Sequence, residues 1–134
     1  MVKQNLKSQV TIPPNHPNPP EPHEISTAHL LARHFQCEIE FLTPSDQYKV
    51  KTPDFKMLGV EWELKCPLGS SKSTIYHQIR LASKQSNYII IDLARSKLDI
   101  SKATRQIQFE LKKRNAIKRI ILITKNKKIV EFSR

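Results

Sequence analysis

Two short segments of the chain place carboxylates and a lysine at spacings that suit phosphodiester chemistry. Residues 52–55 read Thr-Pro-Asp-Phe, and residues 60–65 read Val-Glu-Trp-Glu-Leu-Lys. Residues two apart in a strand point to the same face, so Glu63 and Lys65 project together. If the two segments pair as a hairpin, Asp54 approaches Glu63. Two carboxylates supply oxygen ligands for a hard cation, and the lysine adds a positive charge near a scissile phosphate.

The other side chains of residues 60–66 are apolar at every second position and predict a face toward a core: Val60, Trp62, Leu64 and Cys66. For Trp62 this position favours core packing over base stacking. Glu61 shares the face of Glu63 and Lys65. The strand pattern alone therefore leaves open which of the two glutamates would bind a cation.

The charge of the chain is large and unevenly distributed. Its 134 residues carry a formal net charge of +11. Residues 1–64 contain six Lys/Arg and eight Asp/Glu, whereas residues 65–134 contain seventeen and four. A surplus of this size favours a polyanionic partner or an anionic membrane surface. The acids gather where the cation site is predicted, and the bases gather where a nucleic-acid backbone can lie.

Several other classes of protein are disfavoured. Cys37 and Cys66 form no C-x-x-C arrangement, which argues against zinc and against a disulfide framework. No apolar run is long enough to span a bilayer, and the start of the chain lacks a signal-peptide core. The five histidines form no pair at a useful spacing, so a histidine general base is a weaker hypothesis. These features predict a cytosolic protein, or equally the released end of a longer exported one.

The beginning of the chain is rich in proline. Six of the nine prolines fall within residues 1–23. Proline fixes φ and lacks an N–H, so we predict an extended linker without regular hydrogen bonding, followed by one domain over residues 24–134. A tether of this kind should be dispensable, so removal of residues 1–22 is expected to spare activity.

The rest of the chain alternates helical and extended patterns. Apolar spacing predicts a helix from Ile25 to Phe35, with Ser26 or Thr27 as its cap. Further helices are expected over residues 73–85 and 101–114, and strands over residues 37–42, 49–58, 60–66, 88–93, 119–123 and 129–132. Alternating helices and strands predict a single α/β domain with a mixed β-sheet flanked by helices.

These segments carry a family resemblance. Pro53-Asp54 followed by Glu63-Leu64-Lys65 resembles the PD-(D/E)XK nuclease motif. The wider run over roughly residues 24–134 resembles the C-terminal tRNase toxin domains of contact-dependent growth inhibition (CdiA-type) and related polymorphic toxins. The resemblance implies a metal-dependent endonuclease with a PD-(D/E)XK fold. It also favours Glu63 over Glu61, because Glu63 is in register with Lys65 in the motif.

The resemblance assigns roles to further residues. Asp54 and Glu63 are implied ligands of Mg²⁺ or another divalent cation such as Mn²⁺, and Lys65 acts on the phosphate or the attacking water. An acid from the first helix often completes such a site, which makes Glu24 a candidate ligand, with a helix-terminal charge as its alternative. Gln78 lies on the helix after the motif and is a further catalytic candidate.

A second group of residues suits the substrate phosphates. Lys72, Ser73 and Thr74 lie at the start of the helix predicted over residues 73–85, where a helix N-terminus favours anions. Simple capping by Ser73 or Thr74 is the competing interpretation. Arg80 projects outward from the same helix and is a candidate substrate contact.

The resemblance also implies partners and a place of action. It points to tRNA as the substrate, to a cognate immunity protein, expected to be acidic, and to growth inhibition in the cytoplasm of a target bacterium after delivery as the C-terminal part of a larger protein. Two alternatives remain open. One is a DNA endonuclease of restriction, repair or mobile-element type, and the other is a non-catalytic basic module that binds nucleic acid.

Overall fold

The structure, a computed structural model, describes residues 9–44 and 52–134. The chain divides into two compact units, Met1–Trp62 and Glu63–Arg134, and the boundary falls inside one strand. Seven strands and three helices are present in the described residues, and each strand is hydrogen-bonded to its neighbour in sequence. The predicted mixed α/β class is confirmed, whereas the PD-(D/E)XK fold stays a prediction. No helix in these residues is long and apolar enough to cross a membrane.

The first unit is built from short strands and one helix. Its elements are β1 (Gln9–Thr11), α1 (Pro22–Phe35), β2 (Glu38–Phe41), β3 (Phe55–Met57) and the beginning of β4 (Val60–Lys65). Strand β1 pairs parallel with β2, and β2 and β4 both pair antiparallel with β3. The extended segment predicted over residues 49–58 is a strand only from Phe55, and its residues 49–51 lie outside the described part of the chain.

The start of this unit corrects two expectations. Gln9–Thr11 forms a hydrogen-bonded strand inside the segment predicted to have none. Helix α1 begins at Pro22, and its N-cap is Glu21 instead of Ser26 or Thr27. Proline at the first helical position needs no N–H donor, which explains why the proline-rich segment can lead into a helix. Because residues 9–22 contribute a strand and a helix cap, removal of residues 1–22 is no longer expected to be harmless.

The predicted hairpin is confirmed. In the β3–β4 register, Met57 pairs with Val60 and Phe55 pairs with Trp62. The two turn residues, Leu58 and Gly59, both have positive φ, 55° and 81°, as a two-residue turn between twisted strands requires. The Trp62 indole is fully buried and donates to the Met57 carbonyl at 2.9 Å, which confirms its core position.

The second unit has a larger core. It contains the end of β4, then α2 (Thr74–Ala82), β5 (Tyr88–Asp92), α3 (Ile100–Lys113), β6 (Arg119–Ile123) and β7 (Ile129–Ser133). Strands β4, β5 and β6 run parallel, and β7 pairs antiparallel with β6. Helices α2 and α3 bury their apolar stripes, including Ile79 and Ile107, in one core with β5 and β6. The predicted boundaries of these helices and strands agree with the observed ones to within one residue, except that α2 ends at Ala82, three residues before its predicted end.

Candidate active site

The second half of strand β4 holds the motif glutamate and lysine. Glu63 is buried, with 6% of its surface exposed, and its Oε2 lies 3.3 Å from the Lys65 ammonium. Strand alternation correctly predicts that the two side chains share a face. The structure adds that this face is covered at Glu63, which aligns with the buried Ile89 of β5, and is partly exposed at Lys65. A carboxylate taken out of water is stabilised here by an adjacent positive charge.

The competing glutamate of the same strand has a different environment. Glu61 is exposed and lies opposite Lys56 in the β3–β4 register. A solvated glutamate opposite a lysine is a common cross-strand pair that needs no further role. The two glutamates thus differ in burial and in partner, and the choice of Glu63 as the functional carboxylate stays a prediction.

The face that carries Glu63 and Lys65 is the one that α2 covers. In the parallel register, Glu63 aligns with Ile89 and Lys65 aligns with Ile91. Both isoleucines belong to the core that contains the buried stripe of α2. Three predicted site residues lie on this helix: Thr74 is buried at its first position, Gln78 is half-buried, and Arg80 is exposed in the last turn.

Some polar side chains at the start of α2 make hydrogen bonds within the preceding loop. The Thr74 hydroxyl is buried and accepts a hydrogen bond from the Ser71 N–H at 3.0 Å. Ser73 occupies the N-cap position but makes no side-chain cap bond, and its Oγ lies 3.3 Å from Ser71 Oγ. Lys72 and Ser73 are exposed. Of the three predicted phosphate contacts, Lys72 and Ser73 therefore have side chains at the surface, whereas Thr74 organises the loop.

The remaining predicted residues lie in the first unit. Asp54 is half-buried just before β3, and its N–H donates to the Trp62 carbonyl at 2.9 Å. Asp54 and Glu24 both line an open cavity of about 320 Å³, together with His16 and Glu21. The first unit thus brings two of the three predicted metal ligands to one concavity.

Glu24 also has a structural role. Its Oε1 accepts from the Glu21 N–H at 2.8 Å, and the Glu21 side chain accepts from the backbone of Glu24, which forms a capping box at the start of α1. This contact accounts for a glutamate at this position without a cation. The Glu24 side chain therefore forms the helix cap through Oε1 and also lines the cavity.

The cavity includes one residue whose position the sequence did not reveal. His16 lies within the segment predicted to be an extended linker, yet its Nε2 lies 3.0 Å from the Leu42 carbonyl and its Nδ1 accepts from the Asn18 N–H at 3.1 Å. These contacts match a neutral ring with the proton on Nε2. The only signal in the sequence was its place between turn-forming residues, which did not indicate a partner 26 residues away.

The predicted carboxylate ligands suit a cation that keeps several water molecules in its coordination shell. Among the described residues, no three of His, Cys, Asp and Glu converge into a preformed metal site. Mg²⁺ is commonly held by one or two carboxylates, with water and substrate oxygens completing its octahedral shell. Asp54 in the first unit and Glu63 in the second are each oxygen donors of this kind, so the chemistry of these residues suits a hard divalent cation.

The architecture and these residues define a mixed α/β domain in which a buried carboxylate is paired with a partly exposed lysine in a strongly basic unit. The model of the contact-dependent growth inhibition CdiA C-terminal domain family matches residues 51–129, which include Asp54, Glu63 and Lys65. The chain belongs to this family of growth-inhibitory toxin domains.

A solved structure supports the fold. A chain of the "CdiA-CT/CdiI toxin and immunity complex from Burkholderia pseudomallei" superposes with a TM-score of 0.67 over 94% of this chain and 99% of that chain, at 18% identity. At this identity the similarity establishes a shared fold. No curated protein matches the chain.

Proposed function

We propose that this toxin domain is a metal-dependent endonuclease of the PD-(D/E)XK type that cleaves tRNA. The observation that carries the proposal is the Glu63 carboxylate, which is 6% exposed and lies 3.3 Å from the Lys65 ammonium. A buried carboxylate such as Glu63, even when it is paired, adds little net stability compared with an apolar residue of the same volume. Its presence is best explained by chemistry at the end of β4.

In the proposed site, Asp54 and Glu63 are ligands of one or two divalent cations, most naturally Mg²⁺, and Glu24 is a third candidate. The bound cation would lower the pKa of a water and neutralise phosphate charge. Lys65 stabilises the charge that develops on the phosphate or orients the attacking water. The hairpin register supports this grouping, because Phe55 pairs with Trp62, and Asp54 and Glu63 are the next residues along each segment.

The residues around α2 are proposed to position the substrate. Lys72, Ser73 and Arg80 are exposed and can contact backbone phosphates, while the hydroxyl of Thr74 holds the loop in shape. Gln78 is half-buried on the helix that covers the Glu63 face, so it is proposed to orient a phosphate oxygen or a water. The second unit, with seventeen Lys/Arg and five Asp/Glu, provides the attraction for a nucleic-acid backbone.

The test is cleavage by the purified chain. Total bacterial RNA and a supercoiled plasmid are incubated with the protein in Mg²⁺ or in EDTA. We expect tRNA fragments in Mg²⁺, intact tRNA in EDTA and intact plasmid in both. Plasmid cleavage with intact tRNA would move the assignment to a DNA endonuclease. Tight binding without cleavage of either would favour the non-catalytic module, and full activity in EDTA would favour a histidine mechanism.

The proposal extends to the cell. As part of a larger transferred protein, the domain would act in the cytoplasm of the target bacterium, and a producing cell would need a cognate immunity protein. Support comes from the family match and from the related complex, whose description includes an immunity protein. An acidic immunity protein suits the charge of the second unit.

Induction in bacteria checks this extension. We expect growth arrest, with tRNA fragments before chromosomal damage, and no arrest with Asp54→Ala. Arrest accompanied by DNA breaks and intact tRNA would contradict the proposed substrate. Harmless expression of soluble, folded protein would contradict the proposed toxicity.

A further inference from the structure

Helix α3 carries an aromatic side chain, Phe109, that is not packed in the core. The buried stripe of this helix consists of Ala103, Ile107, Glu110 and Leu111. Phe109 lies off that stripe, and 62% of its surface is exposed. An exposed Phe is not by itself informative, since apolar atoms make up much of any protein surface. Its neighbours make this one informative.

One lysine lies beside the ring of Phe109 and also beside the ring of Tyr76. The Lys113 ammonium lies 5.8 Å from the Phe109 ring centroid and 5.8 Å from the Tyr76 ring centroid. The Arg114 guanidinium lies 5.5 Å from the Tyr76 ring and is held by Glu110 at 2.7 Å. Positive charges at these distances from aromatic faces make favourable cation–π contacts, so the aromatic and basic side chains are ordered together.

A groove runs from this ring toward the last strand. It has a volume of about 880 Å³, and Phe109, Lys112, Phe132 and Arg134 are among its lining residues. Arg134 is already engaged, because its Nη1 donates to the Leu111 carbonyl near the end of α3 and its Nη2 lies 3.2 Å from Asn115 Oδ1. Lys112 and Lys113 are exposed and are the cations placed to meet a ligand.

We propose that Phe109, Lys112 and Lys113 form a binding subsite for an unpaired nucleotide of the substrate. The inference rests on the proposed nuclease function and names a contact outside the β4 residues. A flat π-face accepts any base by stacking, and flanking lysines attract the phosphates on either side. The positive balance of the second unit favours a nucleic acid over an apolar protein partner as the occupant.

Binding measured without catalysis tests the subsite. The probes are fluorescein-labelled oligoadenylate, the same strand annealed to oligouridylate, and an abasic strand with the same number of phosphates, all in EDTA. Phe109→Ala is expected to weaken oligoadenylate binding by about 5- to 150-fold, which corresponds to ~1–3 kcal/mol for one stacked base. The affinity of this variant for the abasic strand should be unchanged. Its affinity for the duplex should fall by less than its affinity for the single strand.

Matched variants separate stacking from other causes. Phe109→Trp keeps a π-face and should bind oligoadenylate like the wild type, whereas Phe109→Leu keeps an apolar side chain without one and should bind like Phe109→Ala. Ile100→Ala removes another exposed apolar side chain of α3, 43% exposed, and should have no effect. Because Phe109 is exposed, thermal unfolding of these variants should match the wild type.

Two results would overturn the subsite. One is an unchanged affinity of Phe109→Ala for oligoadenylate, which would favour a protein partner as the ligand of this face. The other is an equal loss for the abasic strand and oligoadenylate, which would make the face purely electrostatic. The nuclease proposal fails by a different result. In that case the wild-type protein still binds oligoadenylate but does not cleave RNA in Mg²⁺.

Discussion

The two compact units hold their carboxylates in different ways. In the first unit, Glu24 and Asp54 line an open cavity, and Glu24 is also tied into a helix cap. In the second unit, Glu63 is buried beside Lys65 within a strongly basic sequence. A buried, paired carboxylate is fixed before any ligand arrives, whereas a carboxylate at an open cavity can adjust to one. If both carboxylates bind the proposed cation, we therefore expect Glu63 to be the more rigid ligand and Asp54 the more adjustable one.

The largest expected effect is at Glu63. Glu63→Gln keeps the shape of the side chain and removes its charge, so we expect a loss of about 10²-fold or more in Mg²⁺-dependent tRNA cleavage, comparable to removal of a key electrostatic group in other enzymes. Asp54→Asn should have a similar effect. Cleavage rates under single-turnover conditions measure the loss, and Glu61→Gln is the control on the same strand. Full activity in both variants would remove these residues from the mechanism.

Lys65 is expected to have the next largest effect. Lys65→Met should lower turnover by about 10- to 100-fold while RNA affinity stays nearly unchanged, because the lysine acts on the charge that develops during reaction. Lys65→Arg keeps the charge and should recover part of the rate. Rates are measured at saturating tRNA, and affinity is measured in EDTA. A variant that loses affinity with little change in saturating rate would show that Lys65 only binds substrate.

The exposed lysines of the second unit should affect affinity alone. Replacing Lys112, Lys113 and Lys118 with Gln should weaken tRNA binding several-fold and flatten its salt dependence, because each lost phosphate contact lowers the slope of log K against log salt by about 0.7–0.9. Arg114 is left in place, since its Nε is bonded to the buried Glu110. Titrations at several salt concentrations measure the slope. An unchanged slope would place the RNA on another surface.

The smallest effect separates the two roles of Glu24. A Gln can also serve in a capping box, so Glu24→Gln should leave the unfolding free energy nearly unchanged, whereas Glu24→Ala should lower it by ~0.5–2 kcal/mol. If Glu24 is also a cation ligand, both variants lose activity. If Glu24 is only a cap, Glu24→Gln retains full activity. Denaturant unfolding and cleavage assays on the same preparations distinguish the two cases.

Strong periodicity was enough to locate most of the fold. The strand Arg119–Ile123 was predicted with its observed bounds because a continuous apolar run is typical of a strand covered on both faces. Strand β1 was missed because three residues beside a proline-rich segment carry no periodic signal. The start of α1 was misplaced because Ser26 and Thr27 are better N-caps by preference, although the spacing of Glu21 and Glu24 was visible in the sequence.

The candidate site was predictable only in part. The hairpin that orders Asp54, Phe55, Trp62 and Glu63 followed from alternation and from Gly59 at the turn. The burial of Glu63 did not, because alternation assigns it to a polar face, and parallel pairing with β5 is a long-range contact that no local pattern encodes. The position of His16 against Leu42 was hidden for the same reason.

Cation binding tests the central claim most directly. Mn²⁺ is titrated into the wild type, Asp54→Asn, Glu63→Gln and the Glu61→Gln control without nucleic acid, and free Mn²⁺ is followed by electron paramagnetic resonance. We predict saturable binding by the wild type and Glu61→Gln, and binding weakened by at least about tenfold in Asp54→Asn and Glu63→Gln, the size of a ~1.4 kcal/mol loss. Equal Mn²⁺ affinity in all four proteins would contradict the assignment of Asp54 and Glu63 as metal ligands.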